Sequence, residues 1–172
     1  LIDKYMLSPY TVNGERMIRF GLSKAEFDKA MPILKPYRAE ILAYFAQEEA
    51  EKRARYEERE KKIKAIEGLE EIEHAIYDLN KWHREFEKSF DDVGGMGVRP
   101  KPKYDFKALY AKYPVAASYL KAEAQSEKHN YELSAIGQKA LDKIIDCPEE
   151  HLKAIEEMNA EIDAFRERHM WD

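Results

Sequence analysis

Three cations alternate with two prolines and end on an aromatic ring in Arg99-Pro100-Lys101-Pro102-Lys103-Tyr104. Prolines hold a chain extended and limit the entropy lost when it is bound. The side chains between them stay displayed, so this loop suits contact with a sugar–phosphate backbone. The plainer alternative is a solvated linker. Just upstream, Gly94-Gly95-Met96-Gly97 is rich in glycine. No strand precedes it and no Gly-Lys-Ser/Thr follows, so it reads as a hinge and not as a phosphate loop.

Metal and nucleophile chemistry find little support. Glu71-Ile72-Glu73-His74 supplies one Glu-x-x-His motif, but a di-iron bundle needs a second on a facing helix. The residues three before His83, His129, His151 and His169 are Asn80, Ser126, Pro148 and Arg166. Cys147 has no His/Asp partner in sequence and suits a cap or the core better than nucleophilic catalysis. There is no serine-nucleophile elbow, His-Glu-x-x-His, Cys-x-x-Cys or Walker pattern. The expectation is therefore a chain with no catalytic residues, no metal and no cofactor, and not an enzyme.

Composition sets the frame for these residues. Of 172 residues 37% are charged and 44% hydrophobic, so large solvated faces go with a real core. A net charge of −5 argues against a general nucleic-acid binder while leaving room for a local basic patch. With the single cysteine Cys147 no intrachain disulfide forms, which points to a reducing, cytoplasmic setting. No signal peptide and no apolar run of about 18 residues is visible, so no membrane is expected to be involved. The chain begins at Leu1 without a methionine and reads as trimmed.

Asp3–Leu22 reads as a β-hairpin about Asn13-Gly14, a pair suited to the positive φ angles of a type I′ turn. Pro9 makes its strand an edge or interrupts it. Ser23 to Glu26 forms a capping box that starts a short helix ending at Met31-Pro32, and Pro36 suits the first residue of the next helix. From Tyr37 to Val93 there is one glycine, Gly68, and no proline, so two or three long helices are expected.

Within that stretch Glu48–Lys62 holds six acids, six bases and no aliphatic residue larger than alanine. It cannot enter the core, and is expected as a rod-like helical arm facing water or a partner, with Arg53, Arg55 and Arg59 as contacts. Glu48/Lys52, Glu49/Arg53, Glu51/Arg55, Glu57/Lys61 and Glu58/Lys62 are acid-first i,i+4 pairs, each worth about 0.2–0.5 kcal/mol to an isolated helix.

Gly68 is a bend or a junction. Beyond it Leu69, Ile72, Ile76, Leu79, His83, Phe86 and Phe90 keep heptad spacing and predict a seam against another helix, within the chain or in a homodimer. His83 in that seam is expected to be half-buried, and a pH-sensitive seam is the sharper alternative. Tyr77, Trp82, Phe86 and Phe90 are expected in the core, with Trp171 folded back on the helices.

Residues 91–103 form the linker. Asp105 caps a helix, Pro114 starts another, a third spans Leu133–Ile145 across Gly137, and Cys147-Pro148 opens the last. The fold class is mainly α: a hairpin and short helix (1–35), long helices with a seam (36–93), a Gly/Pro linker (94–104) and a C-terminal helical bundle (105–172).

Several segments carry a resemblance: Gly94-Gly95 with Gly97-Val98-Arg99, Tyr113-Pro114 with Ala116-Ala117, Tyr119-Leu120-Lys121-Ala122-Glu123, and His169-Met170-Trp171-Asp172. Over roughly residues 63–172 the chain resembles a family of small proteins carried by phages and mobile elements of anaerobic gut bacteria. Proteins of this kind and size include anti-CRISPR inhibitors of type II-A Cas9. The resemblance implies a stoichiometric binder of a Cas9–guide RNA complex that blocks DNA binding or cleavage. The alternative is a self-associating helical structural or regulatory protein of a mobile element.

Overall fold

A computed structural model describes residues 2–92 and 103–169; for residues 88–92 it describes the backbone alone. The chain is mainly α with an N-terminal antiparallel hairpin. The elements are β1 (Leu7–Val12), β2 (Glu15–Phe20), α1 (Lys24–Leu34), α2 (Arg38–Lys64), α3 (Leu69–Asp92), α4 (Phe106–Lys112), α5 (Pro114–Ser126), α6 (Tyr131–Asp146) and α7 (His151–His169). Among the described residues, no helix is long and apolar enough to cross a membrane.

Two compact units divide at Glu58/Arg59, inside α2. This differs from the sequence boundaries at 35/36, 93/94 and 104/105. The reason is where apolar side chains go. Ile41 and Phe45 of α2 join the first unit's core, while Ile66, Leu69 and Ile72 join the second's.

In the first unit, Asn13 and Gly14 take φ of 50° and 83°, as a two-residue type I′ turn requires. Register runs from Val12↔Glu15 to Leu7↔Phe20. Leu7, Ile18 and Phe20 therefore share one face, which packs with Ala30, Leu34, Ile41 and Phe45. The capping box at Ser23 forms, with the Ser23 amide donating to Glu26 Oε2 at 3.1 Å. Pro32 lies inside α1, and Pro36 sits in a 3₁₀ turn (Lys35–Tyr37). The expected end of α1 at Pro32 and start of the next helix at Pro36 are both displaced. A proline near a helix end removes one hydrogen bond without stopping the chain, and α2 begins only at Arg38.

In the second unit α5, α6 and α7 pack around Ala116, Tyr119, Ala122, Ile136, Ala140, Ile144, Ala154 and Met158. Asp105 caps α4, its Oδ1 accepting from the Lys107 and Ala108 amides, and Pro114 starts α5. Gly137 lies in an unbroken α6, where α5 approaches: a Cβ there would meet the Ser126 nitrogen at 2.3 Å. Gly68, at φ +76°, separates α2 from α3.

The seam divides in its roles. Leu69 and Ile72 are buried in this core, with Ile76 packed on it. Leu79, His83 and Phe86 are half-buried, and the side chain of Phe90 lies outside the described residues. Ala75, which the heptad count skips, is fully buried, because a core-facing helix in a globular unit buries a wider stripe than a coiled-coil seam. The expected aromatic core is corrected too. Tyr77 is 60% exposed, and Trp82 stacks on Phe86 at 5.8 Å with both rings half-buried. Trp171 and residues 93–102 of the linker lie outside the described residues.

Candidate binding site

Charge on α2 is spent locally before any partner arrives. Glu48 and Lys52 form their i,i+4 pair at 2.7 Å, and Glu60–Lys64 makes another at 2.6 Å. Glu49 instead pairs with Arg16 of β2. The Glu51 carboxylate accepts from Gln47 Nε2 at 2.9 Å, and Arg55 Nε donates to the Glu51 carbonyl at 3.4 Å. Arg53 and Arg55 are exposed. Arg59 is half-buried and pairs with Asp142 of α6, and Lys62 reaches Asp146 at 2.8 Å. Of the three arginines singled out on α2, Arg59 thus ties α2 to α6 within the second unit.

The basic loop is described only at its end. Tyr104 donates to Asp78 Oδ2 at 2.9 Å, and Lys103 Nζ lies 3.9 Å from the same oxygen and 5.0 Å from the Tyr104 ring centre. His74 Nδ1 is 3.7 Å from that oxygen. These two loop residues are therefore gathered on α3 at Asp78. Arg99 and Lys101 lie outside the described residues. The acid of the Glu-x-x-His motif is used elsewhere: Glu71 accepts from Tyr113 Oη at 2.5 Å. That bond, aided by Lys112, holds the Glu71 carboxyl below the usual carboxylate range.

Ser118 and His151 form a pair that the sequence did not signal, with Oγ 3.0 Å from Nδ1. Ser118 is buried in the middle of α5. The amides around it are spent in helix bonds, which leaves no donors for an oxyanion. The contact ties the start of α7 to α5.

A cleft in the first unit holds the more telling arrangement. Its volume is about 860 Å³, and it lies between β2 and the helices. Lys24, Phe27, Met31, Leu34, Arg38 and Ile41 line it at spacings of three and four, one helical face carried from α1 into α2. Leu7, Leu34 and Ile41 form a buried floor, while Ile18, Phe20, Leu22, Phe27 and Met31 are half-buried. Phe20 meets Phe27 edge-on, ring centres 4.8 Å apart.

Tyr10, Met17 and the cations Arg19, Lys24, Lys35 and Arg38 complete the lining, and no carboxylate takes part. Arg19 lies over the Tyr10 ring at 5.3 Å. Among the described residues, none of these four cations lies within ion-pair distance of a carboxylate. None was singled out from the sequence. The available signal was the spacing of Phe27, Met31, Leu34 and Ile41 with cations at both ends of the same face.

A second groove, of about 830 Å³ in the second unit, is mainly acidic, with Glu73, Glu123 and Glu127 and one cation, Lys121, beside Ile76, Leu120 and Ile155. Burial, then the charges of Glu123 and Glu70, pushes the Glu73 carboxyl up. Tyr119 beneath it is pushed up to about 12 by burial and by Glu123, to which its hydroxyl donates at 3.1 Å. Compared with family models, curated proteins and solved structures, the chain matches none.

Proposed function

We propose that this chain is a non-enzymatic binding protein, an anti-CRISPR-like inhibitor that docks on a Cas9-type nucleoprotein in the bacterial cytoplasm and blocks DNA binding or cleavage. The observation that carries the binding part is the first unit's cleft. Half-buried apolar side chains gathered in one cleft, beside four cations with no carboxylate partner, suit a partner that covers them. The choice of partner follows the resemblance of residues 63–172. The Arg99–Tyr104 loop serves as a second contact, to nucleic acid. The alternative, self-association through Leu69–Phe90, has no specific observation in its favour, since Leu69 and Ile72 are spent in the chain's own core.

The test is capture by Cas9 loaded with guide RNA, followed by cleavage assays at several salt concentrations. Loss of cleavage near equimolar protein is expected, and Lys35→Glu with Arg38→Glu should restore it. Replacing Arg99, Lys101 and Lys103 together by alanine should weaken binding and flatten its salt dependence. Full cleavage at excess protein overturns the Cas9 reading.

A further inference from the structure

We propose that the outer edge of β2 is a strand-addition site, and that the cleft beside it takes an extended peptide segment carrying acidic among apolar residues. This rests on the binding-protein reading and names the chemistry of the partner segment.

The hairpin leaves one edge open and blocks part of the other. In a two-residue type I′ hairpin the residues flanking the turn exchange hydrogen bonds, and bonded and non-bonded pairs then alternate. Val12–Glu15, Tyr10–Met17 and Ser8–Arg19 are thus bonded pairs. The Gly21 amide donating to the Met6 carbonyl at 3.1 Å continues the same phase. The outward groups on β1 belong to Leu7, Pro9 and Thr11. The Leu7 amide already donates to the Ile2 carbonyl at 3.0 Å, and Pro9 has no amide hydrogen. On β2 the outward groups belong to Arg16, Ile18 and Phe20. Among the described residues none of their backbone groups has a backbone partner beyond the hairpin. Such an edge is a template for another strand.

The cleft fits that strand in length and charge. Its lining on α1 runs from Lys24 to Leu34, a rise of about 15 Å, which is the span of about four to five strand residues. Alternate side chains of an added strand would enter between Ile18 and Phe20 on one side and Phe27 and Met31 on the other. Acidic residues between them point to the other face of β2, where Arg19 lies, and acidic residues at the two ends of the segment would meet Lys24 at one end and Lys35 and Arg38 at the other. A second copy pairing through the same edge brings the same cations and is repelled. A nucleic-acid strand satisfies the cations, but its phosphodiester backbone carries no donor for the outward carbonyls of β2.

The experiment titrates the whole chain with a short peptide of alternating valine and glutamate. Binding is followed by anisotropy, and amide exchange by NMR. Saturable binding is expected, with slowed exchange at the Arg16, Ile18 and Phe20 amides. Methylating alternate peptide nitrogens should abolish it. Lys35→Glu with Arg38→Glu, both at exposed positions and checked for unchanged circular dichroism, should weaken it about ten-fold. No binding, indifference to methylation, stronger protection by oligothymidylate, or a concentration-dependent dimer that already protects these amides would each overturn the proposal. Peptide binding without Cas9 inhibition leaves this site standing and removes the Cas9 reading; inhibition without peptide binding does the reverse.

Discussion

The ring of Tyr113 occupies the space where a side chain at residue 68 would begin: a Cβ built on Gly68 would lie 2.1 Å from Tyr113 Cγ. Gly68 also holds φ at +76°, in the left-handed region. The same tyrosine donates to Glu71 in the first turn of α3. Gly68→Ala is therefore expected to cost about 2–4 kcal/mol, from backbone strain and displacement of a packed ring. Urea unfolding measures it. Adding Tyr113→Ala should recover the steric part, so the two changes should cost less together than their sum.

Gly137→Ala should also destabilise, against the usual sign. Alanine on an exposed helix face gains about 0.5–1 kcal/mol over glycine. Here the added carbon would meet backbone, the Ser126 nitrogen at 2.3 Å and the Gln125 carbonyl carbon at 2.5 Å. α5 and α6 must separate to admit it, so a clear fall in Tm is expected. A rise in Tm would show that the two helices are not so close in solution.

Ile72 is fully buried in the second unit's core. Ile72→Ala should cost about 2–5 kcal/mol. Ile72→Asp should unfold the unit, because an unpaired charge would lie in an apolar core. Circular dichroism reads the unfolding and light scattering the mass. A folded monomer from Ile72→Asp, starting from a dimer, would show instead that Ile72 packs between chains.

Acid should act through the α1 cap. The Ser23 hydroxyl and then its amide bond to Glu26 and hold that carboxyl below its ordinary range. A depressed folded pKa contributes stability that is present above the unfolded value and lost as pH falls through the folded one. Glu26→Gln is therefore expected to flatten the fall in Tm below about pH 4.5. An unchanged acid limb would show that the cap does not persist in solution.

Local backbone chemistry was legible in the chain. Asn13-Gly14 set the hairpin turn, Ser23 and Asp105 their caps, Pro114 a helix start and Gly68 a break, because each acts within a few residues of itself. The charged run on α2 was legible for the same reason. Its alternating signs rule out burial, although Arg59 and Lys62 found Asp142 and Asp146 more than eighty positions away. The heptad stripe was legible as apolar but not as to its partner, since the same leucines and isoleucines serve a dimer or a core equally well.

Neighbouring residues alone specify the hairpin turn, the caps at Ser23 and Asp105 and the run that must stay in water, since dihedral preferences and solvation are local properties. Folding in three dimensions settles that Gly137 admits α5, that Leu69 and Ile72 fill this chain's own core, and that Arg19, Lys24, Lys35 and Arg38 line one apolar cleft. Those facts depend on distances between segments far apart in the chain, and spacing along the chain carries no measure of them.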